Sequence, residues 1–407
     1  MKNVIVGQSG GPSSVINSSL AGVYCRAKEL GADKVYGMRN GIQGFLDERL
    51  VDLGEILKSE AEVEMLKKTP AAFLGSCRFK LPDAEKKPEV FEKIFALLNK
   101  YEIKVFIYIG GNDSMDTIRK LADYGLATGS EIRFVGAPKT IDNDLAETDH
   151  TPGFGSAAKF IATMAKEAIR DEVVYSTNRT IYVMEIMGRN AGWLTAAAAL
   201  ARGEDNPGPD LIYLPEVPFD MNAFLEKVGA LLKKKNNIMI AVSEGIHDDK
   251  GTFICEYAAA DKAVDAFGHK QMGGTATYLC SVCEEKFGCK TRAIELSTLQ
   301  RCAAHLASQT DVDEAFASGA KAVEAALSGR TALMATLNRA GEDPYRCEID
   351  LADVHYISNV ERLVPREWIS EDGDDVTEDF VRYALPLIQG ESWPVMENGL
   401  PKHLVLK

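Results

Sequence analysis

Five short apolar runs, each broken off by glycine or a polar cluster, govern what this chain can fold into. Val4–Val6 runs into GQSGGPSS, Val105–Ile109 into GGNDS, Phe134–Gly136 into APKTIDND, Thr180–Ile186 into MGRNAG and Ile238–Val242 into SEGI. Helical patterns follow most of them: one to about Leu30, one to near Tyr124 and Gly125, and an Ala-rich one to about Arg202. Strands that are apolar throughout and alternate with helices belong to a parallel sheet covered on both faces. The fold class is therefore α/β. Ligands of such sheets bind beyond the carboxyl ends of the strands, and every polar cluster falls at that edge.

With 407 residues the chain has room for two domains. Its formal net charge of −14 argues against nucleic acid or an anionic membrane as a partner. The eight cysteines follow no disulfide framework, which fits a reducing compartment. No apolar run approaches the roughly 18 residues of a membrane span, and the start, Met1-Lys2-Asn3, has no signal-peptide character. The expected location is cytoplasmic. From about Glu361 the chain turns acidic (EDGDDVTED) and reads as a surface extension.

Chemistry concentrates in the clusters. Gly10 and Gly11 let a backbone approach an anion, and Pro12 is placed to open a helix whose N-terminus offers free N–H groups. Ser13 and Ser14 suit the same turn as plain caps. GGNDS repeats the device with Gly111, Asn112, Asp113 and Ser114, where Asp113 or Ser114 is either an N-cap or a ligand group. PKTIDND brings Lys139, Thr140, Asp142 and Asp144 into one loop. A kinase acting on an alcohol needs a carboxylate for the hydroxyl proton, a metal bridging phosphate oxygens, and cations on the transferring group. Arg78 and Arg189 each follow an apolar run, and either clamp a phosphate or form a structural ion pair. Glu244 either accepts from sugar hydroxyls or caps a turn. Cys280 and Cys283, with Cys289 behind, lie on an amphipathic helical segment and read as core, and His247 and His305 as ordinary histidines.

Taken together, GSCR, GGNDS, TIDND, TPGFGSA, STNR, MGR, SEG and HKQMGG, in this order between the double glycine and about Gly274, resemble the phosphofructokinase family. The resemblance implies two Rossmann-like three-layer α/β/α domains with an active site in the cleft between them. It divides the chain into residues 1–150 with about 270–307 for the phosphoryl donor and metal, 151–269 with about 308–360 for the sugar phosphate, and a C-terminal extension over 361–407. Asp142 is then the base toward the 1-hydroxyl of fructose 6-phosphate. Gly10, Gly11, Arg78, Gly111, Asn112 and Ser114 face the donor. Asn112 and Asp144 approach Mg2+. Thr140, Met187, Gly188, Arg189, Glu244, His269 and Lys270 surround the sugar phosphate, and Arg179 reaches a neighbouring subunit's site in a homodimer or homotetramer.

Donor choice turns on Asp113 and Lys139. Relatives that use ATP carry glycine at both places, and those that use pyrophosphate carry Asp and Lys. A carboxylate at 113 repels a nucleotide's α-phosphate, and an ammonium at 139 neutralises pyrophosphate. The implied reaction is reversible phosphoryl transfer from pyrophosphate to fructose 6-phosphate. An ATP-dependent or mixed-donor kinase and a non-catalytic sugar-phosphate-binding subunit are the alternatives. Three departures stand out: Asn112 where the family usually has Asp, and Ala263 and Met272 where it has arginines. After the departures at 263 and 272 either other cations hold the 6-phosphate, with Arg179, His269 and Lys270 the nearest candidates in sequence, or the acceptor differs.

Overall fold

The computed structural model describes residues 3–174, 177–258 and 274–406. They divide into two compact units, Met1–Ser156 with Arg301–Glu361 and Gln389–Lys407, and Ala157–Gln300 with Arg362–Ile388. The first unit opens with strands β1 (Asn3–Gln8), β2 (Val35–Met38), β3 (Leu50–Asp52), β4 (Ile103–Gly110) and β5 (Arg133–Pro138). The second holds β6 (Thr180–Ile186), β7 (Leu211–Tyr213), β8 (Asn237–Ser243) and β9 (Lys290–Glu295). The chain then returns to the first unit with β10 (Leu333–Glu342) and β11 (Tyr345–Asp353).

The first sheet runs β11-β10-β5-β4-β1-β2-β3. It is parallel from β10 to β2, and only the edge strands β3 and β11 are antiparallel. The second, β7-β8-β6-β9, is parallel throughout. All five runs read as strands are strands. Alternation along β4 shows why they are apolar on both faces. Phe106 and Tyr108 pack with Phe91, Phe95 and Leu121 on one side. Val105, Ile107 and Ile109 pack with Leu20, Val23 and Val323 on the other. In the second unit Ile181, Val183, Ile238 and Ile240 pack against Phe224, Leu279, Cys280 and Cys283, so the CxxC pair is core.

Several elements depart from the sequence reading. The first helix is Ile16–Glu29 and begins at Ile16, not at Pro12. Its N-cap is Val15, so neither Ser13 nor Ser14 caps it. The Ala-rich segment is one short helix, Trp193–Ala196, running into a 3-10 turn over Ala197–Ala201. The acidic tail is no loose extension either. Trp193 packs on Trp368, Phe380 and Tyr383, its Nε1 donates to the Arg362 carbonyl at 2.9 Å, and the tract's carboxylates pair outward, Asp375 with Arg202 and Asp372 with Lys227. Residues 308–360, grouped by the sequence with the second part, lie in the first unit, because β10 pairs with β5 and the helix Gln309–Leu327 packs on Ile16–Glu29.

That helix crossing is unusually close. An ideal Cβ at Gly22 would lie 2.0 Å from the Phe316 carbonyl oxygen, and one at Gly319 would lie 2.1 Å from that of Ser19. Backbone meets backbone, so no side chain can yield. Gly319→Ala is expected to lower the unfolding free energy by about 1–3 kcal/mol. An unchanged midpoint in thermal or urea unfolding would show that the two helices separate freely.

Candidate active site

The loops beyond β1, β4 and β5 supply the first group of predicted residues. Gly10 takes φ +77, where a side chain is strained. Its amide donates to the Cys77 carbonyl at 3.2 Å, and Ser76 Oγ donates to its carbonyl at 2.6 Å. The segment leading to Arg78 is braced from below. The amides of Leu74 and Phe73 donate to Gln8 Oε1 and Asn17 Oδ1, and the Asn17 side chain donates to the carbonyls of Thr69 and Ala71. Arg78 itself is exposed at the end of this segment.

Over the double glycine stand two cations. Lys139 Nζ lies 3.3 Å from where a Gly10 Cβ would be, and the Arg301 guanidinium 3.2 Å from where a Gly11 Cβ would be. A Cβ at either glycine would crowd the tip of one of these side chains, and at Gly10 the backbone conformation adds to that. Lys139 is buried, and its amide donates to the Gly110 carbonyl at 2.9 Å. Burial brings its ammonium down to about 8, against the pull of Asp142 and Asp144, while Arg301 and Arg78 push the same way as burial.

The turn after Lys139 is tied at several points. Thr140 Oγ1 donates to Asp142 Oδ2 at 3.2 Å and accepts from the Asp142 amide at 3.1 Å. Asn143 takes φ +56, and its Oδ1 accepts from the Thr151 amide at 3.0 Å. Thr151 Oγ1 donates to the Thr140 carbonyl at 2.7 Å. The amides of Gly153 and Ser156 both donate to the Asp311 carboxylate at 2.8 Å, so a residue of a later helix fixes the far end of the loop. Burial raises Asp142 against the pull of Lys139, and carries Asp144 up to about 7, with the charge of Asp142 adding to it. The result is a cluster of one buried ammonium, one half-buried guanidinium and two half-buried carboxylates.

Gly111 is the N-cap of the helix Asn112–Ala127, with Asp113 exposed in its first turn. Ser114 is buried, and its Oγ lies 1.9 Å from an ideal Cβ at Gly110, which explains that glycine. The Asn112 Nδ2 donates to the Val360 carbonyl at 2.7 Å and its Oδ1 accepts from the Asn359 amide, so each end of the amide holds backbone.

The second unit gathers Met187, Gly188, Arg189 and Glu244 at the carboxyl ends of β6 and β8. The Met187 amide donates to Gln300 Oε1 at 3.2 Å, Ser243 Oγ donates to the Gly188 carbonyl, and the Glu244 amide donates to the Ile186 carbonyl at 2.9 Å. A Cβ at Gly245 would lie 1.9 Å from the Arg189 carbonyl, so the two loops touch through backbone. Arg179 stands apart. It precedes β6, and seven residues of strand, about 20 Å, separate it from Met187. His269 and Lys270, with Ala263 and Met272, lie outside the described residues.

Against known proteins, the sequence matches the Phosphofructokinase family over residues 3–326. This chain belongs to the phosphofructokinase family. It is 42% identical to the pyrophosphate–fructose 6-phosphate 1-phosphotransferase of Halomonas elongata, over 98% of this chain and 95% of that one. It is 41% identical to the enzyme of the same name from Xanthomonas campestris pv. campestris, over 100% and 96%. The crystal structure of the pyrophosphate-dependent phosphofructokinase from Nitrosospira multiformis superposes with TM-score 0.90 at 37% identity, over 100% of this chain and 96% of that one.

Two residues of this phosphofructokinase escaped the sequence reading: Arg301 and Asp311. Neither follows a strand in the way the other clusters do. Arg301 in LQRCAAH has a single local signal, a cation next to a small-residue loop. Because Lys139 is cationic below about pH 8 and neutral above, an activity that needs its charge is lost as pH rises through that value. In the free enzyme, kcat/KM for the anionic donor is expected to fall above about pH 8. Lys139→Arg, charged throughout, should remove that limb; its persistence would assign it to another group.

Proposed function

We propose that this chain transfers a phosphoryl group reversibly from pyrophosphate to the 1-hydroxyl of fructose 6-phosphate. The observation that carries this reading is the buried Lys139 ammonium lodged on the Gly10–Gly11 turn beside Asp142 and Asp144. A compact, highly charged donor without an adenosine needs its cations fixed in advance, and Lys139, Arg301 and Arg78 bear on one place. Asp113, exposed at the helix N-terminus, sets a negative charge where a longer nucleotide would run.

Asp142 takes the proton from the sugar hydroxyl. Its raised affinity for a proton, from burial, suits a base that must accept one during transfer. Thr140 orients it through the 3.2 Å bond to Oδ2. Gly11 and Gly111 present backbone toward the donor. Met187, Gly188, Arg189 and Glu244 hold the sugar phosphate, with His269 and Lys270 assigned to the same task. Relatives of this family use a divalent metal, and the chemistry of the donor set fits Mg2+. Asp142 and Asp144 are hard oxygen donors, and Asp144, raised to about 7 by burial and by Asp142, lacks a full counter-charge. When bound, Mg2+ supplies charge neutralisation at the phosphate oxygens; Asp144 is the residue that holds it.

We assign the protein to the cytoplasm, supported by its free cysteines, Cys77, Cys255, Cys280 and Cys283 among them buried. Among the described residues no helix is long and apolar enough to cross a membrane. We also propose a homo-oligomer with shared sites. Arg179 is exposed at the opposite end of β6 from Met187, so in its own chain it is remote from the sugar group it resembles a ligand for.

Supplying pyrophosphate or ATP with magnesium and fructose 6-phosphate tests the reading. Pyrophosphate should support far higher kcat/KM, and glycine at both 113 and 139 should raise the ATP-to-pyrophosphate ratio; equal use of both donors by the wild type contradicts it. Asp142→Asn should lower kcat by roughly 10²–10⁴. Mixed with an Arg179→Ala chain it should regain activity, because one hybrid site receives both a base and an arginine. Verified hybrids without recovery would exclude a shared site.

A further inference from the structure

The first unit holds a second set of buried polar side chains, Asp149, His150, Glu314 and Cys347, that phosphoryl transfer does not use. His150 is almost wholly buried, and a carboxylate faces each of its ring nitrogens. Nδ1 lies 2.7 Å from Asp149 Oδ1, and Nε2 lies 2.7 Å from Glu314 Oε2. Three segments meet there: the loop before the helix Phe154–Glu172, the helix Gln309–Leu327 and the strand β11. β11 contributes Cys347. Its Sγ, one ring nitrogen of His150 and one oxygen of Glu314 all lie within 4.8 Å of one another. Among the described residues this is the one such convergence of histidine, cysteine and carboxylate.

We propose that His150, Glu314 and Cys347 form a zinc site that clamps the β10–β11 ribbon to the helix Gln309–Leu327 and to the loop at His150. A triangle of that size contains a point within about 2.8 Å of all three atoms. Zn2+ sits about 2.0–2.3 Å from nitrogen, oxygen and sulfur ligands, so the corners need close by less than about 1 Å. The Nε2–Oε2 contact, now closed on a proton, opens by roughly half an ångström to admit the ion. Water takes the fourth position. The outer partners of the ligands are already in place. Asp149 holds the Nδ1 side of His150, which leaves Nε2 as the inner atom. The Arg339 guanidinium fixes Asp149 in turn, at 3.2 Å from Oδ1 and 3.4 Å from Oδ2. Tyr345 Oη donates to Glu314 Oε1 at 2.7 Å, which leaves Oε2 facing the imidazole. A carboxylate behind a ligating histidine fixes its tautomer and raises its basicity.

A plain ion pair accounts for the histidine and its two carboxylates but gives the thiol no use. The charge count accounts for all four groups. Without the ion, an imidazolium donating to both carboxylates, together with Arg339, balances Asp149 and Glu314. Zn2+ replaces the proton on Nε2 and the proton on Sγ, and both go to solvent. A neutral imidazole and a thiolate result, and the cluster is balanced again. The ion therefore enters without leaving a net charge to bury. Imidazole and thiolate select Zn2+ over Mg2+, so this site does not compete for a hard cation at the phosphates.

The test uses Co2+ as the probe, titrated into the full-length protein after dialysis against a chelator, with no substrate present. The wild type should bind one Co2+ per chain and develop a thiolate-to-cobalt charge-transfer band. Zn2+ should displace the ion and remove the band, and excess Mg2+ should leave it in place. Cys347→Ser should abolish the band, whereas Cys302→Ser, at an exposed thiol, should keep it. Asp149→Asn should keep the band and weaken Co2+ binding by roughly 10–100-fold, and Glu314→Gln should weaken it at least as much. Zn2+ should raise the thermal unfolding midpoint of the wild type and leave that of Cys347→Ser unmoved. No band in the wild type, a band that survives Cys347→Ser, or wild-type affinity in Glu314→Gln overturns the assignment and leaves His150 as the centre of an ion pair. Because every readout is taken without turnover, the result stands apart from the choice of phosphoryl donor.

Discussion

Everything in the first unit answers to one problem, the charge withdrawn from water in the loop that follows β5. Lys139, Asp142 and Asp144 sit within six residues of one another, and burial works against the ionised form of all three. Isolated charges in such a place would relax by neutralisation or by local unfolding. They stay because the backbone around them has no slack. Thr140, Asn143, Thr151 and Gly153 are bonded in sequence, and the Asp311 carboxylate closes the far end with two amide bonds of a kind worth about 1.5–3 kcal/mol each. Rigid framework and unbalanced charge are two halves of one device, since a loop free to move would find counter-charges of its own.

Much of this was legible in the chain as written. A strand buried on both faces must be apolar at every position, so β1, β4, β5, β6 and β8 announce themselves. A parallel sheet delivers its loops to one edge, so TIDND and GGNDS could be placed at the carboxyl edge of the first unit's sheet, and MGR at that of the second's. What escaped has a common cause. β9 reads KTRAIE and is largely exposed, while β10 and β11 run out into a ribbon whose side chains alternate with solvent, so neither is apolar enough to be noticed. Arg301 and Asp311 act on residues far back in the sequence, and no local pattern encodes a partner brought in by β10 and by the helix Gln309–Leu327. At Asn112 the strong local motif says that a polar group belongs there but not that its amide bonds the backbone of Asn359 and Val360.

The same long-range closure explains the acidic tail. Read by composition, EDGDDVTED is a solvated surface stretch, and its carboxylates do lie at the surface. Composition averages over the aromatic residues on either side. Trp368, Phe380 and Tyr383 surround Trp193, and the Arg362 guanidinium stacks on the same ring at 4.4 Å. An acidic tract of this kind is the solubilising outer face of a segment whose inner face completes a core.

The chain crosses from one unit to the other at Ser156, Gln300, Glu361 and Ile388. Neither unit is therefore a contiguous stretch of sequence, and no single cut yields a whole one. During synthesis β5 is made long before β10, the strand that covers its open side. At about 5–20 residues per second the ribosome takes roughly 10–40 s to travel from Pro138 to Leu333. Through that interval the nascent sheet presents a bare parallel edge, with unpaired N–H and C=O groups ready to accept any passing strand. The open edge of β5 is thus a hazard of the emerging chain, removed once β10 pairs with it.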